Sequence, residues 1–481
     1  MTRVGSGIIN VITESLYDKP IVVFREYVQN SVDSLFKSDR VCEKDIKIFY
    51  AENTLYFADC GNGIEKELFD IQMGGIADSG KLKQKNLGYK GIGRLSGLPY
   101  CECLKFINVI DYSQNEFQQY CLDGKKYAEE KNSEQVQKLS VEEFLNILSE
   151  TEAQSQDINE CLGTLDSVKE YFRNHNRGFL VIMENVSPVL KNTIESDKFE
   201  ANLSWLLPVD FRPEVYSQEG EIGDITQFLR ADNQEGAPAR FCNIFYNDKK
   251  ILRPIAVESF RNTVFKNNFE YAVGMVTFNG QKIQIDKNND FSGIRIYIDN
   301  MLLCDESELV TALANYGYLN NHSINGMIQA VRGIGALIYI TDKTNISSNA
   351  RRTFIEITDN DSLQFLQYLA EFLNNIYDAR YALSDYASIL KDKTKKQEDI
   401  EKKKSDALAA LCKFVSENVA VEEIEDQSNI AELSIQEKKT IVKKSITSRI
   451  SKEMKAFLKQ YDVDNSESYY EDFLKWLGEH N

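Results

Sequence analysis

The chain has 481 residues, a formal charge of −18, 42% hydrophobic residues and only 7 prolines. That length is too great for one hydrophobic core and suits two or three domains, and the composition is that of a folded protein rather than a disordered one. The acidity disfavours a body wrapped around nucleic acid, no apolar run approaches the ~20 residues of a bilayer span, and the nine scattered cysteines, with no CxxC pair, fit reduced thiols. The first twenty residues lack the apolar core and cleavage site of a signal peptide, so a cytoplasmic location is expected.

In chain order, residues 8–17 and 19–37 predict two helices joined at Asp18-Lys19-Pro20, with the proline in the first turn of the second. The second contains FREYVQNSVDSL, which sets Glu26, Asn30 and Asp33 at i, i+4 and i+7, within an arc of about 60° on one face. DIKIFY and TLYFAD read as a hairpin of alternating strands, and the second strand runs out into Asp59-Cys60-Gly61-Asn62-Gly63. NLGYKGIGRLSGLPY (86–100) is a glycine-rich loop leading into a helix. LSVEEFLNILSE is a helix opened by a capping box of Ser140 and Glu143. GFLVIMENV returns to strand, and ANLSWLLPVDFRP closes the first domain, followed by the breaker-rich ADNQEGAPA.

The next segment is richer in strand, with an Asn279-Gly280 hairpin turn and strands in SGIRIYIDNMLL and GIGALIYIT. From about residue 380 the chain is helical and charged. Leu383, Tyr386, Leu390, Ile400, Ala407, Leu411 and Phe414 follow heptad spacing, interrupted by Lys393, Gln397 and Lys404, which predicts a long helix rather than a tight coiled coil. The tail QEKKTIVKKSITSRISKEMKAFLK is locally basic.

Three boxes lie in order between Glu26 and Gly93: helical E-x-x-x-N-x-x-D, strand-terminal D-x-G-x-G, and G-x-x-G-x-G opening a helix. Each alone is a common pattern; their joint order resembles the GHKL ATPase superfamily of gyrase, the ninety-kilodalton heat-shock chaperone, histidine kinases and MutL. IINVITESLYDKPIVVFREYVQNSVDSL and MGGIADSG are most similar to the chaperone branch. The three histidines, His175, His322 and His480, lack a phosphoacceptor setting upstream of the boxes, which argues against a histidine kinase.

The resemblance implies an α+β fold. It comprises a Bergerat-type α/β sandwich ATPase domain over residues 1–212, an α/β transducer domain over 213–390, and a charged helical region over 391–481 for dimerisation or partner binding. It implies ATP and Mg²⁺ as ligands. Glu26 would be the general base, and Asn30 a neutral oxygen ligand for the metal. Asp59 would accept from the adenine amino group, with Gly61 and Gly63 turning beneath the base. Gly88, Gly91 and Gly93 would face phosphate with their N–H groups, Lys90 and Arg94 would add charge, and Asp33 would support the site from its edge. In TDKTNISSNARRTFIEI, Arg351 or Arg352, with Lys343 behind them, would reach the terminal phosphate.

Three departures stand out. Asp78 replaces the family's lysine, with Lys81 as a substitute; the later G-T pair is Gly178-Phe179, without the hydroxyl; and the segment between Gly80 and Gly88 is short for a lid. The expected function is an ATP-driven conformational machine that closes as a homodimer on a protein client. The alternative is a nucleic-acid-associated clamp similar to MutL or MORC proteins, with the Lys-rich C-terminal region as its contact.

Overall fold

The computed structural model describes residues 5–10, 13, 19–37, 44–74, 93–149, 155–216, 240–253, 260–266, 272–279, 293–319, 322–332, 334–340, 346, 348, 354–357, 359–391 and 394–418. The fold is mixed α+β, in two compact units: residues 1–210 with 240–253, and residues 211–239 with 254–481.

The first unit is built on a seven-stranded sheet. Strands β1 (Asp45–Ala51) and β2 (Thr54–Asp59) pair antiparallel, with Ile46 opposite Asp59. Their connection, Glu52-Asn53, holds φ at 49° and 63°, the left-handed pair whose twist suits a two-residue hairpin. With β3 (Cys101–Asp111), β4 (Glu116–Asp123), β5 (Gly178–Val186), β6 (Asn243–Tyr246) and β7 (Lys249–Lys250), the order is β4-β3-β5-β2-β1-β6-β7. β6 runs parallel to β1, and a second left-handed pair, Asn247-Asp248, turns the chain back into β7. Residues 240–253, which a boundary at 212 leaves outside the first domain, therefore form the last two strands of its sheet.

Two helices precede β1. Only Gly7–Asn10 (α1) is described as α-helical in the stretch expected as the first helix, most of the remainder lying outside the described residues. The second is α2, Val22–Lys37. Lys19, Pro20 and Ile21 form the turn that leads into it, their carbonyls accepting from the N–H groups of Val22, Val23 and Phe24. Phe24 and Tyr27 meet Phe57 of β2 edge-on at 5.4 and 5.1 Å. From Val22 to Asp33 every described side chain but Asn30 is buried, so α2 is enclosed on all sides rather than amphipathic at the surface. The expected capping box forms as read: Ser140 N–H donates to Glu143 Oε2 (2.6 Å) and Glu143 N–H to Ser140 Oγ (3.2 Å), opening helix Val141–Ser149.

The second unit holds a five-stranded sheet in the order β11-β10-β12-β9-β8, made of β8 (Phe260–Lys266), β9 (Ala272–Asn279), β10 (Gly293–Ile298), β11 (Met301–Cys304) and β12 (Ile334–Ile340). β10 and β12 are parallel, and helices Glu306–Asn315 and Ile324–Val331 lie between β11 and β12 in sequence. The long helix expected across Leu383–Phe414 is corrected to two, Asn360–Lys391 and Gln397–Asn418, with a turn at Thr394-Lys395. The heptad seam is polar at Lys393 and Gln397, so continuing straight gains no apolar contact there. Folding back packs Ile389, Ile400 and Ala410 on the second core, and Lys403 Nζ meets Asp385 Oδ2 at 2.9 Å.

Candidate functional site

Helix α2 carries an unusual load of buried polar groups. Glu26 is 5% exposed, Gln29 1% and Asp33 1%. Among the described residues, the Glu26 Oε1 atom lies 3.4 Å from Arg25 Nε and makes no hydrogen bond; neither amide atom of Gln29 makes one, nor does the buried Oγ of Ser34. Each such group costs about 1–3 kcal/mol of desolvation. They cluster within about 140° of one helix, which makes this stretch the candidate site. Asp33 belongs to the same face but is engaged elsewhere, its Oδ1 3.2 Å from Arg240 Nη1.

The helix touches a glycine turn near each end. At its N-terminal end, a Cβ on Gly93 would overlap Glu26 Oε2, so only a bare backbone approaches the carboxylate this closely. The helix expected after the glycine-rich loop is a 3₁₀ helix, Gly93–Tyr100, opened by Gly93; the Tyr27 hydroxyl bonds its backbone at Arg94 O and Gly97 N, both at 3.0 Å. Towards its C-terminal end, a Cβ on Gly61 would overlap Ser34 Oγ.

The turn after β2 is held from three directions. Asp59, 3% exposed, takes the Gly61 N–H on its Oδ1 at 3.0 Å. Asn108 of β3 treats Ile64 as a strand would, accepting its N–H at 3.0 Å and donating to its carbonyl at 2.7 Å. Arg177 Nε donates to Asn62 O at 3.1 Å. Gly63 sits at φ +65° with Asn108 Oδ1 where its Cβ would be. Phe179, the departure from the G-T pair, lies directly opposite Asp59 in the β2–β5 register and so shares its face of the sheet. Burial pushes the Tyr171 hydroxyl well above the ordinary tyrosine range, with Cys60 and Asp59 adding to the shift.

Of the residues read from the sequence, Glu26 and Gly93 are brought into contact, and Asp59, Gly61 and Gly63 form one compact turn. Asn30 is half-buried on the same helix face. Arg94 carries its charge towards Tyr120 and Tyr27, and burial lowers its guanidinium below the ordinary arginine value. Gly88, Lys90, Gly91, Asp78, Lys81, Lys343, Arg351 and Arg352 lie outside the described residues, as do Gly280 and the Lys-rich tail. Sequence reasoning passed over Tyr27, Gln29, Ser34, Asn108 and Arg177. A signal for the first three was present in FREYVQNSVDS, where polar residues occupy too many directions for a helix with one solvated face.

All seven described cysteines are free thiols, and among the described residues no cluster of His, Cys, Asp and Glu could hold a metal alone. No described helix is long and apolar enough to cross a membrane. No protein-family model matches the chain, and no curated protein matches it at a meaningful level.

Proposed function

We propose that the first unit binds ATP along α2 and hydrolyses it with magnesium. The observation that carries this reading is the pair of glycine contacts on one helix, Ser34 against Gly61 below Asp59 and Glu26 against Gly93. Eight residues of helix separate them, about 12 Å at 1.5 Å per residue. An extended nucleoside triphosphate suits that span, with its base at the Asp59 turn and its terminal phosphate at Gly93.

The chemistry follows from the groups at each end. An Asp59 oxygen accepts from the exocyclic amine of adenine, which guanine replaces with a carbonyl. Backbone N–H groups at the start of the 3₁₀ helix face phosphate oxygens. The buried Glu26 carboxylate accepts a proton from the water that attacks the terminal phosphorus, and the bond to the bridging oxygen breaks to release ADP. The Asn30 carboxamide oxygen on this face would hold a magnesium ion together with the phosphates, and the ion would neutralise their charge.

The likeness of residues 8–35 to the chaperone branch extends the proposal: ATP closes two copies of the chain on a protein client. Phosphate release measured on wild type and Glu26→Ala tests the core of it. The variant should still bind ATP and lose turnover by roughly 100-fold or more; undiminished release would remove Glu26 from the base role.

A further inference from the structure

Tyr27 follows Glu26 in the chain but leaves α2 about 100° further round. Its ring is fully enclosed, edge-on to Phe57 at 5.1 Å and Phe106 at 6.4 Å. Its hydroxyl donates to Arg94 O and accepts from Gly97 N–H. Those two groups are the ones an i to i+3 turn would join to each other, so a side chain of α2 is built into the backbone ladder of the 3₁₀ helix. Gly97 is matched to it: a Cβ there would overlap the Tyr27 hydroxyl and stand 3.1 Å from Met183 Sδ. Burial raises the hydroxyl far above ordinary tyrosine, which keeps it a neutral donor.

We infer that Tyr27 is a positioning residue for the hydrolysis proposed above, holding the backbone from Gly93 to Gly97 in register with the Glu26 carboxylate. The inference rests on that reading of the site. Tyr27→Phe keeps the ring contacts and deletes the bridge, so the Gly97 N–H and Arg94 carbonyl lose a buried partner and Gly93 is free to drift from Glu26. Binding at the Asp59 turn is untouched by this change. The chemical step therefore suffers before nucleotide affinity does, since about 1 Å of misplacement can cost on the order of 100-fold in rate.

The experiment compares full-length wild type, Tyr27→Phe, Gly97→Ala and the double variant, each read for kcat at saturating Mg-ATP, ADP affinity by calorimetry, and melting temperature. Tyr27→Phe should lose roughly 10- to 100-fold in kcat while ADP affinity stays within about 3-fold. Gly97→Ala should fall in the same direction, and the double variant should be no worse than Gly97→Ala alone, because deleting the hydroxyl makes room for the methyl. Wild-type kcat in a folded Tyr27→Phe, or in Gly97→Ala should the first variant not fold, overturns the inference while leaving the ATPase reading in place. A tyrosine that served stability alone would move only the melting temperature. Wild-type protein that fails to bind ATP at all would overturn both.

Discussion

Asp59 ends a strand buried on both faces, and its carboxylate has one oxygen committed to the Gly61 amide. On the proposed reading the same carboxylate also accepts from the base. Asp59→Asn keeps an acceptor for Gly61 and presents an amide N–H where the adenine amine would donate. Calorimetry should then show ATP affinity weakened by about 10-fold or more with little change in melting temperature; unchanged affinity would remove Asp59 from adenine recognition. The D-x-G-x-G box was legible because all its members are neighbours in sequence. Asn108 and Arg177, which hold that turn, were not, because their partners lie 44 and 115 positions away and nothing local marks them.

At the scale of elements, the late segment 240–253 is tied to α2 through Arg240. Asp33 is almost wholly buried against Arg240, whose guanidinium also lies over the Phe36 ring at 5.4 Å. Breaking one side of such a pair leaves a buried charge, so Arg240→Met should cost roughly 3 kcal/mol, seen as a lower denaturation midpoint. A midpoint matching wild type would show that Asp33 is satisfied without Arg240. Alternation revealed β1 and β2, strand-forming composition revealed β5, and the Ser140 capping box was readable to the residue, since these signals are local. β6 and β7 escaped notice because two short strands joined by Asn247-Asp248 carry little periodicity, and their place beside β1 is decided by distant pairing. The heptad count across residue 393 failed for the opposite reason: the period continued in sequence where the apolar seam did not.

On the scale of the whole molecule, the charge of −18 disfavours a body wrapped around nucleic acid, and the proposed conformational machine carries a matching expectation. At about 50 mM salt the full chain should leave double-stranded DNA unbound; binding that collapses by about 200 mM would instead favour the nucleic-acid-associated alternative and its Lys-rich tail. Either outcome leaves the first unit's proposed ligand the same. The most direct test of that ligand is a calorimetric titration of the full-length chain with Mg-ATP. The arrangement of Asp59, Gly61, Glu26 and Gly93 along α2 predicts saturable uptake of one nucleotide per chain; the absence of any uptake would contradict it.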